Sequence, residues 1–397
     1  MLKRPRLIIE YDRRWAYFQW FVLGFYELKK EGLIDLSVNT NPLNKISFIL
    51  DNDIVLKFIR KIYYKLERDS FYFDGYLLDS DERKITFTID CADTPYMFDY
   101  KRLKEKDIYF KIQYPNDIDK KEFSLTKEVT IPWIDSEDVE PKLRKKITNQ
   151  PRKIIEDFHD YTYKIKPLML GPRELSVGNS YSALKRGYDN FTKAFNSVKT
   201  GKCMCYFGSS KGPHPSKTIV NPDFGLEYDL LGYYQGVLCH PNEKRYIVSK
   251  ILSTDPLNDC RVISIGHADD NNATINHNLV IPLNSFPNHV SKFEYNVNVS
   301  GYTLSIPARF IDSFAVGTAI VTDKLHCKWY LPFSKEEVIE TVEMGYEPKE
   351  AVNWPIFKED IANLKKSNPK IIKEEFENKW SPISVANYII NTLKNTN

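Results

Sequence analysis

The sequence predicts an α/β fold of two Rossmann-like domains that face a cleft, with C-terminal helices that pack back. Three observations lead to this prediction. The chain has 397 residues, which is more than one hydrophobic core usually supports. Short apolar runs alternate with segments of helical periodicity in both halves. Hydrophobic residues make up 42% of the chain and charged residues 27%, which excludes wholesale disorder.

Each half of the chain is predicted to form one domain. The predicted boundaries are residues 1–199 for the first domain, 200–380 for the second, and 381–397 for a last helix that could cross back to the first. Within the first domain, a strand at residues 7–11 precedes a helix in which Phe18, Val22 and Phe25 recur at helical spacing. Its further strands are predicted at residues 34–38, 47–50, 72–90 (two strands), 108–114 and 164–170, and its further helices at 53–66, 141–161 and 180–198.

The second domain repeats this alternation. Its strands are predicted at residues 203–207, 262–265, 293–299, 319–322 and 329–331. Its helices are predicted at residues 242–252, 307–316, 335–344, 354–366 and 370–380, followed by 384–393. Two such domains in tandem, ended by several helices, give the two-domain architecture with a cleft between them.

An acidic tract at residues 79–83 admits two interpretations. Asp79-Ser80-Asp81 could be an Asp-x-Asp motif that binds a divalent metal ion. Asp and Ser also favour turns, and strand-like runs flank the tract on both sides. We therefore favour a hairpin turn and predict no metal site here.

The composition limits the partners of this protein. The net charge of +3, without a long run of one sign, argues against a nucleic-acid partner and hence against a nucleic-acid enzyme. The six cysteines contain no CxxC pair, so we predict no metal site from them. The apolar stretch at residues 15–26 is too short to span a membrane, and we find no signal peptide. We expect a cytoplasmic protein with at most peripheral membrane contact.

The segment from Val299 to Phe333 carries the clearest chemistry. A loop enters a short helix, and Ser305 and Arg309 lie where that loop and the first helical turn would meet an anion. An arginine there can pair a phosphate through two hydrogen bonds. Asp312, one turn later, could accept hydrogen bonds from ribose hydroxyls or hold Arg309. The alternative is a surface Arg–Asp pair of little energetic value.

This segment resembles the donor-binding signature of exostosin-type glycosyltransferases. That signature runs from a serine-containing loop to an arginine, an acidic residue three positions later, an apolar strand and a Pro-Phe pair. The matching residues are Ser305, Arg309, Phe310, Asp312, Gly317, the strand 319–321, Asp323, Pro332 and Phe333. The resemblance covers about a tenth of the chain, and it lacks the upstream Cys-Pro-Arg-Gly-like tract, where this chain has Asn298-Val299-Ser300-Gly301.

The resemblance implies a GT-B-like glycosyltransferase with a nucleotide-sugar donor, a UDP-sugar being favoured. It also implies inversion at the sugar carbon, no obligatory metal or other cofactor, and a glycan or polysaccharide acceptor on the first domain. Small residues directly after a strand, at 208–212, allow backbone amides to approach a diphosphate, although a plain flexible loop is equally compatible with them. His267 also follows a strand, where a surface role is equally compatible. The predicted donor-binding residues are Gly208, Ser209, Ser210, Lys211, His267, Ser305, Arg309 and Asp312.

Inverting transfer needs a carboxylate base in the first domain. Asp93 and Asp90 follow a predicted strand and are our candidates, although aspartates in such positions often only cap turns. The sequence therefore predicts a sugar transferase that builds a glycan or polysaccharide. The alternative is a non-catalytic nucleotide- or carbohydrate-binding protein on a degenerate transferase scaffold.

Overall fold

The computed structural model contains two large β-sheets, one in each half of the chain. It describes residues 4–10, 16–40, 42–52, 54–56, 72–92, 95, 98–116, 118, 158–172, 174–199, 202–211, 245, 248–265, 285–300, 305–345 and 352–396. The first sheet uses strands between residues 6 and 167, and the second uses strands between residues 202 and 340. The protein thus has two Rossmann-like α/β domains, as the alternating sequence pattern predicted.

The first half of the chain forms seven described strands. They are β1 (Arg6–Glu10), β2 (Asp35–Asn39), β3 (Tyr72–Leu78), β4 (Lys84–Asp90), β5 (Ile108–Lys111), β6 (Tyr114–Pro115) and β7 (Ile165–Pro167). All except β6 form one mixed sheet in the order β2-β1-β3-β4-β5-β7. Strand β3 runs antiparallel to β1 and β4, whereas the other neighbours are parallel.

The helices of this half flank the sheet strands in the sequence. They are α1 (Gln19–Lys30), α2 (Pro42–Ile49), α3 (Tyr100–Glu105) and α4 (Tyr181–Lys193), and a 3-10 helix (Phe158–Lys164) precedes β7. The helices predicted at residues 53–66 and 141–161 lie largely outside the described residues.

The hairpin between β3 and β4 has the predicted turn. The Asp79 side chain accepts hydrogen bonds from the backbone N–H groups of Asp81 and Arg83, both at 2.9 Å. Glu82 has a positive φ of 63°, the left-handed conformation that closes the turn. The acidic tract therefore serves the backbone of the hairpin, as the favoured interpretation had it.

The second half of the chain forms a fully parallel sheet. Its described strands are β8 (Lys202–Lys211), β9 (Asp259–Ile265), β10 (Phe293–Asn298), β11 (Ala319–Thr322), β12 (Cys327–Lys328) and β13 (Val338–Glu340). All except β12 belong to the sheet, in the order β13-β11-β10-β8-β9. Its helices include α5 (Phe286–Val290), α6 (Arg309–Phe314), α7 (Trp354–Ala362) and α8 (Pro369–Glu375), and a π-helical turn (Phe376–Trp380) follows α8.

Three of the predicted strands and helices are wrong. Residues 47–49 are the end of helix α2 and not a strand, because Pro42 favours a helix start. Residues 335–344 are not one helix: β13 pairs with β11 through Val338 and Ile339, and a 3-10 helix covers only Val342–Met344. The strand predicted at residues 329–331 lies earlier, at β12. In the last two cases tertiary pairing overrides a weak local preference.

Among the described residues, the contacts between the two domains include one strand pair and one helix pair. Strand β12 pairs antiparallel with β6 from the first domain. Helix α9 (Pro382–Lys394) packs along α1, and the indole Nε1 of Trp20 donates to the carbonyl of Trp380 at 2.9 Å. Helix α9 therefore contributes to the core of the first domain.

The contact between α1 and α9 depends on Gly24. A Cβ atom at this position would overlap the carbonyl oxygen of Pro382 and would lie 2.7 Å from Cβ of Ala386. The backbones of the two helices approach closely because Gly24 has no side chain.

We expect Gly24→Ala to lower the free energy of unfolding by about 1–3 kcal/mol, since overpacking outweighs the gain of about 1 kcal/mol in helix propensity. Chemical denaturation of the variant and the wild type measures the difference. Asn190→Ala, at an exposed position of α4, is the control and should not destabilise the protein. A Gly24→Ala variant as stable as the wild type would show that α9 can shift away at no cost.

Candidate functional site

The second sheet reverses its strand order between β8 and β10. The chain adds β9 on one side of β8 and then β10, β11 and β13 on the other. In open parallel sheets, ligands bind in the crevice at the carboxyl ends of the two strands where this reversal occurs. The loop that leaves β10 at this edge leads through Ser305 to α6. The segment that carried the sequence motif therefore starts at the crevice of the second domain.

Arg309 is the first residue of α6 and lies over this region. Its Nη1 atom is buried and has no hydrogen-bond partner in the structure, and the same holds for the hydroxyl of Tyr206 on β8. Both side chains belong to the part of the chain that the structure describes. Burial lowers the pKa of the Arg309 guanidinium, and the nearby charge of Arg245 lowers it further. Buried donors without a partner are energetically costly. A ligand that accepts hydrogen bonds from both groups would therefore gain binding energy.

Asp312 lies one helical turn after Arg309, and the charges of the two side chains interact. Neither Arg309 nor Asp312 is an exposed side chain, so the surface-pair interpretation does not hold. Burial raises the pKa of Asp312 to about 7, and the charge of Arg309 opposes this increase. Asp312 therefore changes its charge near neutral pH. It does so close to the Arg309 guanidinium, whose charged form burial disfavours.

A network of buried hydrogen bonds connects the carboxyl ends of β10 and β11 and the residues that follow them. Asp323, which is 2% exposed, accepts from the backbone N–H of Ser300 at 3.1 Å and from its hydroxyl at 2.7 Å. Asn298 donates to the Thr322 hydroxyl at 2.9 Å between the two strands. The Asn296 side chain donates to the Ser313 hydroxyl at 2.9 Å and so ties α6 to β10. These bonds fix the frame in which Arg309 is held.

Ser305 is buried, at 9% exposure, and the next residue contacts the first domain. The side chain of Gln113, which follows β5, hydrogen-bonds to both backbone groups of Ile306. The loop between β10 and α6 therefore lies at the interface of the two domains. A ligand bound at this loop would be next to the first domain.

The glycine-rich segment differs from its prediction. We expected Gly208, Ser209, Ser210 and Lys211 to form a loop after a strand. The backbone of these residues instead continues β8 and pairs with β9, up to Lys211 opposite Ile265. The parallel pairing uses their backbone groups, so they do not form a phosphate-binding loop there, and their donor-binding role stays a prediction. Asp93 and His267 lie outside the described residues.

Asp90 does not face an open cleft. Its carboxylate is fully buried at the end of β4 and accepts hydrogen bonds from the Tyr109 hydroxyl at 2.6 Å, the Lys111 ammonium at 2.8 Å and the Ala92 backbone N–H at 2.7 Å. Lys111 is equally buried. All the partners of this carboxylate belong to the protein, and removing one partner of such a buried pair typically costs about 3–5 kcal/mol. The geometry does not favour the predicted role of Asp90 as a base.

Sequence reasoning missed Tyr206 and Gln113. Tyr206 lies in a strand whose apolar neighbours made it resemble a core residue, and Gln113 follows a strand without any motif. Among the described residues, no group of three or more His, Cys, Asp and Glu side chains is placed to hold a metal ion. No described helix has the length and apolar character that crossing a membrane requires.

The raised pKa of Asp312 predicts a pH-dependent stability. The folded pKa of about 7 exceeds the ordinary value of 3.8, so the native state holds this proton more tightly than the unfolded state does. The stabilisation is complete below the ordinary value and is lost as the pH rises through about 7. Asp312→Asn removes this loss.

We therefore expect Asp312→Asn to unfold at a higher temperature than the wild type at about pH 8, with a smaller difference at about pH 5. Differential scanning calorimetry at both pH values measures this. Asp81→Asn, at an exposed position of the β3–β4 hairpin, is the control. An equal effect of Asp312→Asn at both pH values would show that Asp312 is ionised throughout.

No protein-family model matches the chain, and no curated protein matches it. Among solved structures, the chain is similar to the crystal structure of TarM, with 10% sequence identity and a TM-score of 0.36. The similarity covers 98% of this chain and 99% of that chain. A likeness this low carries no argument about the reaction.

Proposed function

We propose that the protein is a glycosyltransferase that uses a nucleotide-sugar donor, bound at the carboxyl edge of the second sheet. One observation carries the proposal: the Arg309 guanidinium, with a buried nitrogen that has no partner, lies on the helix that follows β10 at the strand-order reversal. The exostosin-like sequence of the same segment supports a donor diphosphate as the ligand. A UDP-sugar is the donor that this resemblance favours.

The side chains suit a diphosphate leaving group. The guanidinium can form two parallel hydrogen bonds to phosphate oxygens, and it keeps its charge even where burial lowers its pKa. The Tyr206 hydroxyl is a second donor with no partner in the structure. Fixed donors aimed at developing negative charge lower the barrier to bond cleavage without a metal ion. Metal-independent transfer is therefore part of the proposal.

The acceptor would lie against the first domain. The bond pair between Gln113 and Ile306 brings that domain next to the loop before α6. Deprotonation of an acceptor hydroxyl needs a base on this side. We propose Asp93 for this role, on the basis of its position in the sequence, in preference to the buried Asp90.

Binding without transfer is the second candidate function. The specific observation in its favour is that the Asp90 carboxylate is fully engaged by Lys111, Tyr109 and Ala92. A protein with a donor site and no available base would bind a nucleotide or nucleotide-sugar and release no product. Asp93→Asn separates the two candidates. If the protein is a transferase, the wild type transfers sugar and the variant binds nucleotide without transfer. If it only binds, both proteins bind nucleotide and neither transfers sugar.

A thermal-shift panel tests the donor site. UDP, GDP, CDP, ADP and TDP are added separately, with and without EDTA, and a ligand that binds only the folded state raises the unfolding temperature. We expect a selective rise with one of them, UDP being favoured, that EDTA does not change. Arg309→Ala should lose the rise, and Arg309→Lys should retain part of it because it keeps the charge but not the paired geometry.

Arg83→Ala is the matched control, since Arg83 lies 48% exposed in the β3–β4 hairpin. It should respond to the nucleotide as the wild type does. No rise with any nucleoside diphosphate would overturn the proposed function. A rise that persists in Arg309→Ala would place the ligand elsewhere in the protein.

A further inference from the structure

Gln113 makes a reciprocal pair of hydrogen bonds across the domain interface. Its side-chain Nε2 donates to the carbonyl of Ile306 at 3.0 Å, and its Oε1 accepts from the N–H of Ile306 at 2.9 Å. The two residues are 193 positions apart, and Gln113 is 1% exposed. A primary amide is the neutral side-chain group that offers both the donor and the acceptor that a peptide unit needs. The interaction thus satisfies both backbone groups of one residue in the loop.

Ile306 lies shortly before helix α6, so the bond pair with Gln113 affects where Arg309 is held. Ile306 is fully buried, follows Ser305 and lies three residues before Arg309. The backbone N–H of Phe310 bonds to the carbonyl of Pro307 at 3.1 Å, so the chain enters α6 directly after the bond pair. A displacement of Ile306 would therefore move Arg309 and the start of α6.

A second contact next to Gln113 limits how the loop can move. Asn116 donates from its side chain to the carbonyl of Leu325 at 2.8 Å, and from its backbone to the carbonyl of His326 at 3.0 Å. Strands β6 and β12 pair beside these bonds. Residues 113–116 thus contact the second domain at two places, Ile306 before α6 and residues 325–328 after β11.

We propose that Gln113 is a positioning residue: through Ile306 it fixes Arg309 relative to the first domain, and so couples the acceptor-binding domain to the donor diphosphate. The proposal rests on the proposed function. Gln113 is 1% exposed and bonds to Ile306, so its effect on the donor would be indirect. It holds the loop that presents the guanidinium, and the domain interface is thereby part of the donor site.

The chemistry of the amide gives a reversible test. Gln113→Glu introduces a carboxyl group of the same shape, which cannot donate to the Ile306 carbonyl when it is ionised but can do so when it is protonated. Burial raises the pKa of such a carboxyl, so the neutral form is reached on mild acidification. Gln113→Met keeps the approximate volume and restores neither bond at any pH.

We expect UDP to bind Gln113→Met roughly tenfold more weakly than the wild type at every pH, because the loop before Arg309 loses both hydrogen bonds to the first domain. Gln113→Glu should show the same loss at about pH 8 and approach wild-type affinity at about pH 5. Isothermal titration calorimetry with UDP measures this, and each variant is compared with the wild type at the same pH because the diphosphate also titrates. A merely structural role would not give this pH-dependent recovery.

Amide hydrogen exchange of residues 305–314 without nucleotide is the second readout. In Gln113→Met, exchange at Ile306 and α6 should accelerate, while exchange in the distant hairpin at residues 79–83 should not. If the wild type binds no nucleoside diphosphate, the proposed function fails, and hydrogen exchange alone decides whether Gln113 fixes the loop. Unchanged exchange, or equal UDP affinity of all three proteins, would overturn the inference.

Discussion

Parallel strands cannot be joined by tight turns, and this constraint organises the second domain. Each connection has to run from the carboxyl end of one strand to the amino end of the next. All loops that leave the strands therefore emerge at the same edge of the sheet. The order β13-β11-β10-β8-β9 opens a crevice between β8 and β10 at that edge. Tyr206 on β8 and Arg309 after β10 lie close enough for their charges to interact, because the topology directs their segments to one place.

Buried polar groups in this protein separate into two kinds. In one kind the partners belong to the protein: Asp90 with Lys111 and Tyr109, or Glu337 with Lys379 and Trp380. These sets neutralise their charge internally and hold elements in place. In the other kind a buried donor has no protein partner, as for Arg309 and Tyr206. Only a buried donor of the second kind can bind a ligand without first losing a hydrogen bond to the protein.

The sequence was informative where a short local pattern of residues decides the outcome. The strands that became β1, β10 and β11 were predicted from their apolar runs, and Arg309 from its place in the first turn of a short helix. Residues 335–344 have helical spacing, but pairing of Val338 with β11 decides their structure. Such pairing depends on which strand lies nearby, and local sequence does not contain this information.

The candidate site shows the same limit. Asp90 and a catalytic aspartate have the same local signature, a carboxylate at a strand end, and only the buried lysine opposite Asp90 separates the two roles. Gln113 carries no sequence signal because its partner is 193 residues away. A residue that bonds to the other domain can be recognised only from the three-dimensional structure of both domains.

The packing of α9 on α1 also affects how the chain is synthesised. Trp20 bonds to the carbonyl of a residue 360 positions later, and α9 covers the face of α1 around Gly24. Domains generally fold in the order in which they leave the ribosome. Here the first domain keeps an uncovered apolar helix face until residues 382–394 have been made. During translation this protein would expose an apolar surface for almost the whole length of the chain, and a nascent chain stalled before α9 would be a natural substrate for chaperones and proteases.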